Sequence, residues 1–391
     1  MVTSTRFLII RENKKMDLKN VSLFQPFTFK KGIRVNNRIA MAPMTTWASN
    51  DDYTISDEEI RHYTARANGL GLVITGCTRV TPNGIGFSHE FASYDDLFLP
   101  SLKRLATAAK SGGAPAILQI YHAGNRAVKK LIPDEDLVSA SAVEIEPMAF
   151  VSEAATPRAL EHQEILGIIK AFGDTTKRAI EAGFDGVELH GAHGFLLQNF
   201  FSPIYNKRTD QWGGSAENRM QFPLEVVKEV QKVISEYARG PFILGYRMSP
   251  EEVQPEGYKI NDIYPLIDEL IALEIDYLHV SLFNILESRP LGIMEGKSIA
   301  ELILDQVNSR IPVIAAGGII KPEDAIKAMD LGLAMTAIGK GLIINPNWIT
   351  LAGRGEKIEE SISLSKLPKL DIPKKLWTII DMAKGWFQLT D

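Results

Sequence analysis

Eight short apolar segments recur along the chain, and stretches with helical spacing separate them. The segments are residues 38–44, 71–75, 115–120, 185–189, 242–247, 276–280, 312–316 and 334–338. Their almost continuous apolar character is typical of parallel strands that are buried on both faces. Eight strands that alternate with helices predict a parallel sheet closed into a barrel. A doubly wound open sheet would need a glycine-rich loop after the first strand, and none follows Met41. The predicted fold class is therefore α/β, a (β/α)8 TIM barrel with a C-terminal helical appendage.

The barrel is predicted to occupy residues 16–355 as one domain without an internal boundary. Residues 1–15 are expected to be an N-terminal extension or tag without ordered structure. Residues 123–160 contain several prolines and are predicted to be an irregular excursion above the barrel. Residues 356–391 are predicted to form a C-terminal helical extension.

Two histidines, His190 and His193, come directly after the fourth predicted strand, and a glycine follows each of them. Side chains that do chemistry in barrel enzymes stand on loops at the carboxyl ends of the strands. The two imidazoles therefore predict a polar pocket floor whose rings donate hydrogen bonds to a substrate oxygen. Histidines satisfied within the core are one alternative, and metal ligands are another. No third ligand at a matching spacing is recognisable, so no metal is predicted.

Glycines also follow the last two predicted strands. Residues 317–319 (Gly-Gly-Ile) come after the seventh strand, and Gly339 and Lys340 come after the eighth. Barrels bind phosphate at these two loops, where glycines let backbone N–H groups close on the anion. Lys340 would add a positive charge. Either loop alone could be an ordinary tight turn, but the two together favour a phosphate site.

Arg247 and Gln119 end the fifth and third predicted strands. The charge of Arg247 would point into the barrel mouth, where a buried arginine needs an anionic or carbonyl-rich partner. A core carboxylate such as Glu188 is the alternative partner. Gln119 offers an amide donor and an acceptor for an imide edge, and an ordinary core hydrogen bond is the alternative.

Composition narrows the classes of partner. Cys77 is the only cysteine, which excludes structural disulfides and a cysteine-rich zinc or iron–sulfur site. The net charge of −5 argues against nucleic acid and anionic membrane as partners. No apolar run approaches the ~20 residues of a membrane span. A cytoplasmic location is expected, and a homo-oligomer is compatible with the sequence.

Four stretches carry a resemblance to a known family. They are Asn36–Met44, the His190-x-x-His193-Gly segment, Asn206–Arg219 and Gly339–Pro346. Together they resemble the old yellow enzyme family, FMN-dependent NADH:flavin oxidoreductases and NADH oxidases. The resemblance covers about residues 20 to 355, and Asn206–Arg219 is its most specific part.

The resemblance implies non-covalent FMN as cofactor and NADH or NADPH as reductant. It implies contacts to the FMN phosphate from Gly317, Gly318, Ile319, Gly339 and Lys340. It implies contacts to the isoalloxazine ring from Pro43, Met44, Thr45, Gly76, Gln119 and Arg247. Thr45 would lie near the flavin O4 and count among the catalytic residues with His190 and His193. The two histidines, Phe195 and Trp47 would bind the substrate.

Two residues depart from the family pattern. Most ene-reductases of the family have a proton-donating tyrosine two residues after the second histidine, and here that position is Phe195. Lys340 stands where arginine is usual, so the phosphate would meet a point charge instead of a planar fork.

The favoured hypothesis is an FMN oxidoreductase that passes hydride from NAD(P)H through flavin N5 to a small-molecule acceptor. The acceptor would be an enone, a quinone, a nitro compound or oxygen. One alternative is a non-redox phosphate-binding barrel, a lyase or isomerase. Another is a flavin-binding protein without efficient turnover.

Overall fold

A computed structural model of the protein describes residues 22–147 and 154–391. The predicted N-terminal extension, residues 1–15, lies outside the described residues, as do residues 16–21 and part of the excursion, residues 148–153.

Eight parallel strands form a closed barrel, which confirms the predicted fold class. The strands are β1 (Ile39–Met41), β2 (Leu72–Ile74), β3 (Ala116–Tyr121), β4 (Gly186–Gly191), β5 (Ile243–Met248), β6 (Tyr277–Ser281), β7 (Val313–Ala316) and β8 (Met335–Ile338). Each strand pairs with its neighbours in chain order, and β8 pairs with β1. Val73 of β2 faces Met41 of β1 on one side and Ala116 of β3 on the other. The ring of hydrogen bonds therefore has no open edge.

Eight helices of seven residues or more surround the barrel, one after each strand, in addition to the shorter helices Leu196–Phe201 after β4 and Lys340–Ile344 after β8. The eight longer helices are α1 (Asp57–Ala67), α2 (Leu99–Ala109), α3 (His162–Ala182), α4 (Ala216–Tyr237), α5 (Tyr264–Ala272), α6 (Ile299–Val307), α7 (Pro322–Asp330) and α8 (Trp348–Arg354). A capping box begins α1, because the Ser56 hydroxyl accepts from the Glu59 backbone N–H and the Glu59 carboxylate accepts from the Ser56 backbone N–H. A local signal of this kind marks the start of a helix in the sequence itself.

A short antiparallel hairpin closes one end of the barrel. It pairs Phe27–Thr28 with Arg34–Val35. Phe29 and Val35 are buried against the interior residues of the barrel, and the Phe29 ring lies 6.0 Å from that of Tyr277. Tyr277 begins β6, so the hairpin covers the amino-terminal ends of the strands. The carboxyl ends remain available for a site.

The C-terminal extension packs at the other end of the barrel from the hairpin, beside the mouth. Its α-helix is confined to Lys374–Met382, and the rest consists of a 3-10 turn (Leu364–Lys369) and a two-stranded pair (Ile362–Ser363 with Leu389–Thr390). Its apolar residues bury Trp47 of the barrel. The buried Arg66 of α1 holds it through a hydrogen bond from Nη2 to the Leu370 carbonyl at 2.6 Å.

The described part of the predicted excursion is indeed irregular. It contains 3-10 turns and a two-residue parallel pairing of Val138–Ser139 with Arg158–Ala159. Across residues 22–147 and 154–391, no helix is both long and apolar enough to cross a membrane.

Candidate active site

A cavity of about 550 Å³ opens at the carboxyl ends of the strands. Most of the residues predicted for the ring and the substrate line it: Pro43, Met44, Thr45, Trp47, Gln119, His190, His193, Phe195 and Arg247. Gly76 does not line the cavity but packs against the backbone of Met44. A Cβ on Gly76 would lie 2.6 Å from the Met44 carbonyl oxygen. The backbone N–H of Gly76 donates to the Tyr63 hydroxyl at 2.8 Å. Glycine at position 76 therefore lets the backbone that carries Met44 approach β2.

A second cavity of about 520 Å³ adjoins the first and shares five of its lining residues with it, Pro43, Met44, His193, Arg247 and Trp386. All five residues predicted for the phosphate line this second cavity: Gly317, Gly318, Ile319, Gly339 and Lys340. The two cavities together form one continuous crevice, with an apolar aromatic end and a glycine-rich end.

The glycine-rich end is a cradle that side chains would fill. A Cβ on Gly317 would lie 2.4 Å from the Leu282 carbonyl oxygen, and Gly318 has a φ of +71°. A Cβ on Gly339 would lie 2.8 Å from the Met44 sulfur. The Lys340 ammonium lies 5.7 Å from the Phe387 ring centroid, and burial lowers the pKa of Lys340. The cradle therefore leaves room for a group that approaches bare backbone, beside one positive charge.

The two histidines meet at the aromatic end. His190 is the penultimate residue of β4, and His193 follows in the loop with a φ of +60°. Their ring centroids are 5.0 Å apart and the rings are nearly perpendicular, at 80°. A positive φ in a non-glycine residue is strained and persists only where the surroundings hold it. The His193 backbone N–H donates to the Ser249 hydroxyl at 3.0 Å, which holds that loop conformation.

Both imidazoles are neutral near pH 7. Burial lowers the pKa of His190, and the nearby His193 and Arg247 lower it further. Burial also lowers the pKa of His193, together with the charges of Arg247 and Arg126. Neutral imidazole has one N–H donor and one acceptor nitrogen, so the partners of each ring decide which nitrogen donates.

Those partners leave one donor free on each ring. The Ala192 backbone N–H donates to His190 Nδ1 at 3.4 Å, which places the proton of His190 on Nε2. The Ser281 hydroxyl lies 2.8 Å from His193 Nε2 and accepts from Arg247 Nη2 at 3.1 Å. Because His193 Nε2 is the one contact of Ser281 among the described residues that can accept its O–H, we assign that proton to the Ser281–His193 bond and the ring proton to Nδ1.

Arg247 does not form a direct ion pair with Glu188, which was the alternative to a partner at the barrel mouth. Glu188 instead accepts from the Gln119 amide at 2.7 Å, the Tyr277 hydroxyl at 2.8 Å and His279 Nδ1 at 2.8 Å. Burial lowers the pKa of Arg247 and the field of Glu188 opposes that shift. Among the described residues, the buried Nε of Arg247 has no hydrogen-bond partner. A buried guanidinium with an unused donor indicates a missing acceptor at the crevice.

Phe195 belongs to an aromatic wall of the cavity. Its ring lies 4.9 Å from His190, 4.8 Å from Tyr121 and 6.1 Å from Phe87, each measured between ring centroids. The Tyr121 hydroxyl donates to the buried Glu90. No tyrosine, aspartate or glutamate is among the described residues that line this cavity. Cys77 lines it, and burial raises the pKa of its thiol to about 12.

Several lining residues were not predicted from the sequence: Cys77, Phe87, Arg126, Lys384 and Trp386. Arg126 had a usable signal, because it follows the polar end of β3 by five residues. Trp386 had none, since it reaches the cavity from the C-terminal extension and packs edge-on against Trp47 at 6.1 Å. In the part of the chain that the structure describes, no three histidine, cysteine or acidic side chains are grouped to hold a metal.

Comparison with known proteins identifies the relatives of this chain. The profile of the NADH:flavin oxidoreductase / NADH oxidase family matches residues 22–359. The chain is 43% identical over 378 residues to the probable NADH-dependent flavin oxidoreductase YqiG of Bacillus subtilis, covering 96% of this chain and all of that protein. It is 37% identical to the NADH:fumarate oxidoreductase of Klebsiella pneumoniae over 94% of this chain, but spans only 40% of that longer protein.

Solved structures agree with the sequence relatives. A structure of morphinone reductase in complex with tetrahydroNAD superposes with a TM-score of 0.75 at 26% identity, covering 95% of this chain and 98% of that one. An old yellow enzyme homologue from Zymomonas mobilis superposes with a TM-score of 0.74 at 22% identity, covering 86% of this chain and 94% of that one, and supports the fold alone.

Proposed function

The chain belongs to the NADH:flavin oxidoreductase / NADH oxidase family, of old yellow enzyme type, and from this premise we propose that it reduces electron-poor small molecules at the crevice described above. It is an FMN-dependent oxidoreductase that uses NADH or NADPH. In this proposal residues 16–355 form the FMN-binding barrel, and residues 356–391 cover part of its mouth. When bound, FMN supplies a two-electron carrier that takes hydride from the nicotinamide and delivers it from N5 to the acceptor.

The glycine-rich end would hold the FMN phosphate. Its residues would be Gly317, Gly318, Ile319, Gly339 and Lys340. Two observations support this assignment: side chains at Gly317 and Gly339 would collide with their neighbours, and a lysine stands at the same place. An anion there would gain backbone donors and one cation.

The middle of the crevice would hold the isoalloxazine ring. Pro43, Met44 and Thr45 would line one side, Gly76 would let their backbone lie close to β2, and Gln119 and Arg247 would meet the polar edge. The unpartnered Nε of Arg247 supports this assignment, because a carbonyl- and nitrogen-rich edge supplies the acceptor that it lacks. A fixed cation at that edge stabilises negative charge in the reduced ring.

The histidine pair would bind the acceptor. His190 Nε2 and His193 Nδ1 are the two donors left free by the protein, and both rings line the cavity. Two neutral N–H groups aimed at one oxygen draw electrons from a conjugated carbonyl, quinone or nitro group and stabilise the charge that develops there. This pair of free donors beside an unsatisfied guanidinium is the observation that carries the proposal. Thr45, Trp47 and Phe195 would complete the walls.

The lining residues favour some acceptors over others. Alkene reduction needs a proton at carbon, and neither Phe195 nor a thiol with a pKa of about 12 is a suitable acid. Quinones and nitro compounds take up their protons on oxygen when they are reduced, and solvent water can supply those protons. We therefore rank quinones, nitro compounds and oxygen above enones.

The test uses the purified protein. Flavin released by heat should comigrate with FMN, and anaerobic NADH or NADPH should bleach the bound chromophore. Reoxidation by a quinone, a nitroaromatic, a cyclic enone and oxygen then ranks the acceptors. If neither nucleotide bleaches the bound flavin, the result would favour a flavin-binding protein without turnover. A colourless protein that takes up no FMN would favour the non-redox phosphate-binding barrel.

A further inference from the structure

The acceptor cavity is lined by cations but not by acids. Three basic side chains line it, Arg126, Arg247 and Lys384, and none of its described lining residues is a carboxylate. Arg247 donates to Ser281, and the Lys384 ammonium is paired with Asp381 at 3.1 Å. Among the described residues, Arg126 is therefore the one of these three cations without a side-chain hydrogen-bond or ion-pair partner.

Arg126 is held next to the histidine pair by a close fit to glycine. It ends a 3-10 turn, Gly124–Arg126, directly beyond β3. A Cβ on Gly194 would lie 2.3 Å from Arg126 Nε, so the guanidinium rests on the backbone between His193 and Phe195. Gly194 has a φ of +73°, which also favours glycine at that position. The fold thus places a positive charge over the loop that carries the candidate donors.

The guanidinium has no partner of its own among the described residues. No hydrogen bond or ion pair joins it to them, although it is partly buried. Burial lowers the pKa of Arg126, and the fields of Tyr205 and Glu252 oppose that shift. The Glu252 carboxylate is already bonded to the Ser202 hydroxyl at 2.9 Å and the Gln198 amide at 3.4 Å. A partly desolvated arginine without a partner is costly unless a ligand supplies the anion.

We propose that Arg126 binds an anionic oxygen group, a carboxylate or a phosphate, on the molecule that the histidine pair holds. This inference rests on the proposed function, and it names the substrate class: acceptors that carry an acidic group beside the reducible one. The same chemistry could come from the diphosphate of the nicotinamide nucleotide, which enters the same cavity to reduce the flavin. A planar fork suits both groups, because each offers two oxygens.

The first arm of the test measures binding without turnover. The affinity of the FMN-loaded protein for 3- and 4-hydroxybenzoate is compared with that for the matching neutral hydroxybenzamides by titration calorimetry. We expect the wild type to prefer the acids by about tenfold or more. Arg126→Gln should abolish that preference while keeping amide binding, and Arg126→Lys should keep part of it. Lys129→Gln, which removes a nearby charge that does not line the cavity, should behave like the wild type.

The second arm distinguishes the two sources of the anion. If the diphosphate is the ligand, Arg126→Gln should raise the NADH concentration for half-maximal flavin reduction about tenfold and leave the preference among phenols unchanged. Unchanged acid preference and unchanged NADH dependence in Arg126→Gln would overturn the inference. Retained FMN absorbance shows that the variant is folded. The calorimetric arm needs no turnover, so a protein that fails to reduce any acceptor would contradict the proposed function and still give a result for Arg126.

Discussion

Ser281 Oγ lies 2.8 Å from His193 Nε2, and this contact connects the last residue of β6 to the loop after β4. The same oxygen accepts from Arg247 Nη2 at 3.1 Å. One hydroxyl therefore joins the guanidinium proposed for the flavin edge to an imidazole proposed for the acceptor. It also selects the nitrogen of His193 that remains free to donate.

Ser281→Ala should weaken phenol binding without removing the histidine. Loss of the hydroxyl leaves the His193 ring free to take either tautomer and leaves Arg247 Nη2 without its partner. We expect the dissociation constant of a neutral phenol to rise about two- to tenfold, the equivalent of one ordinary hydrogen bond. The titration follows the long-wavelength charge-transfer band of the phenol over the flavin. Ser235→Ala is the control, because Ser235 lies on α4, outside the crevice, and bonds the Lys232 carbonyl. Equal effects of the two variants would contradict the assignment.

Replacing either histidine by alanine should have a larger effect on the same titration. Each substitution removes a donor worth ~1–3 kcal/mol at a desolvated site. Phenol affinity should fall by about one to two decades while FMN stays bound. Unchanged affinity in both His190→Ala and His193→Ala would show that the phenol binds elsewhere.

The sequence was sufficient for the barrel because its signals are local. A strand such as residues 185–189 is apolar on both faces, and α1 carries its own capping box. The phosphate loops were predicted from the glycines after the seventh and eighth strands, whereas the residues proposed for the FMN ring came from the resemblance to the old yellow enzyme family. Long-range contacts could not be predicted. Arg66 donates to the Leu370 carbonyl, and the two residues are 304 positions apart in the sequence. Trp386 contacts Trp47 only because the C-terminal extension folds back onto the barrel.

Gly317→Ala should weaken FMN binding and destabilise the protein. The added methyl would lie 2.4 Å from the Leu282 carbonyl oxygen, so the cradle must move. Overpacking of this kind costs typically ~1–3 kcal/mol. Denaturant unfolding and the quenching of FMN fluorescence measure the two effects. Gly353→Ala is the control, since it lies in α8 with open space around its Cβ. That variant should keep FMN affinity and gain roughly 0.5–1 kcal/mol of stability. Equal FMN affinity in both variants would exclude a tight cradle at Gly317.

Acid should destabilise the fold through buried neutral histidines. Burial lowers the pKa of His122 from its ordinary 6.5 to about 3. Between these two pH values the histidine is protonated in the unfolded chain and neutral in the folded one. The stabilising contribution is complete above pH 6.5 and is lost as the pH falls, by about 2 kcal/mol at pH 5. His122→Asn keeps an acceptor for the Gly124 N–H and cannot titrate. The free energy of unfolding should therefore fall less between pH 7 and pH 5 in the variant, at one fixed FMN concentration. Parallel pH dependences would contradict this role for His122.

Phe195→Tyr should convert the cavity into a better site for alkene reduction. The ring already contacts His190 at 4.9 Å and lines the cavity, so a hydroxyl on its edge would stand near the bound acceptor. The natural cavity has no tyrosine among its described lining residues, and the nearby Tyr121 hydroxyl is committed to Glu90. Positioned general acids are typically worth 10²–10⁴-fold, so wild-type protein should reduce a cyclic enone much more slowly than NADH reduces its flavin. The tyrosine variant should raise enone turnover and leave quinone turnover nearly unchanged, because quinone oxygens take protons from solvent. Reoxidation of the reduced protein by each acceptor, measured anaerobically, separates the two rates. Wild-type protein that reduces the enone as fast as the quinone, with no gain in the variant, would mean that another group protonates the α-carbon.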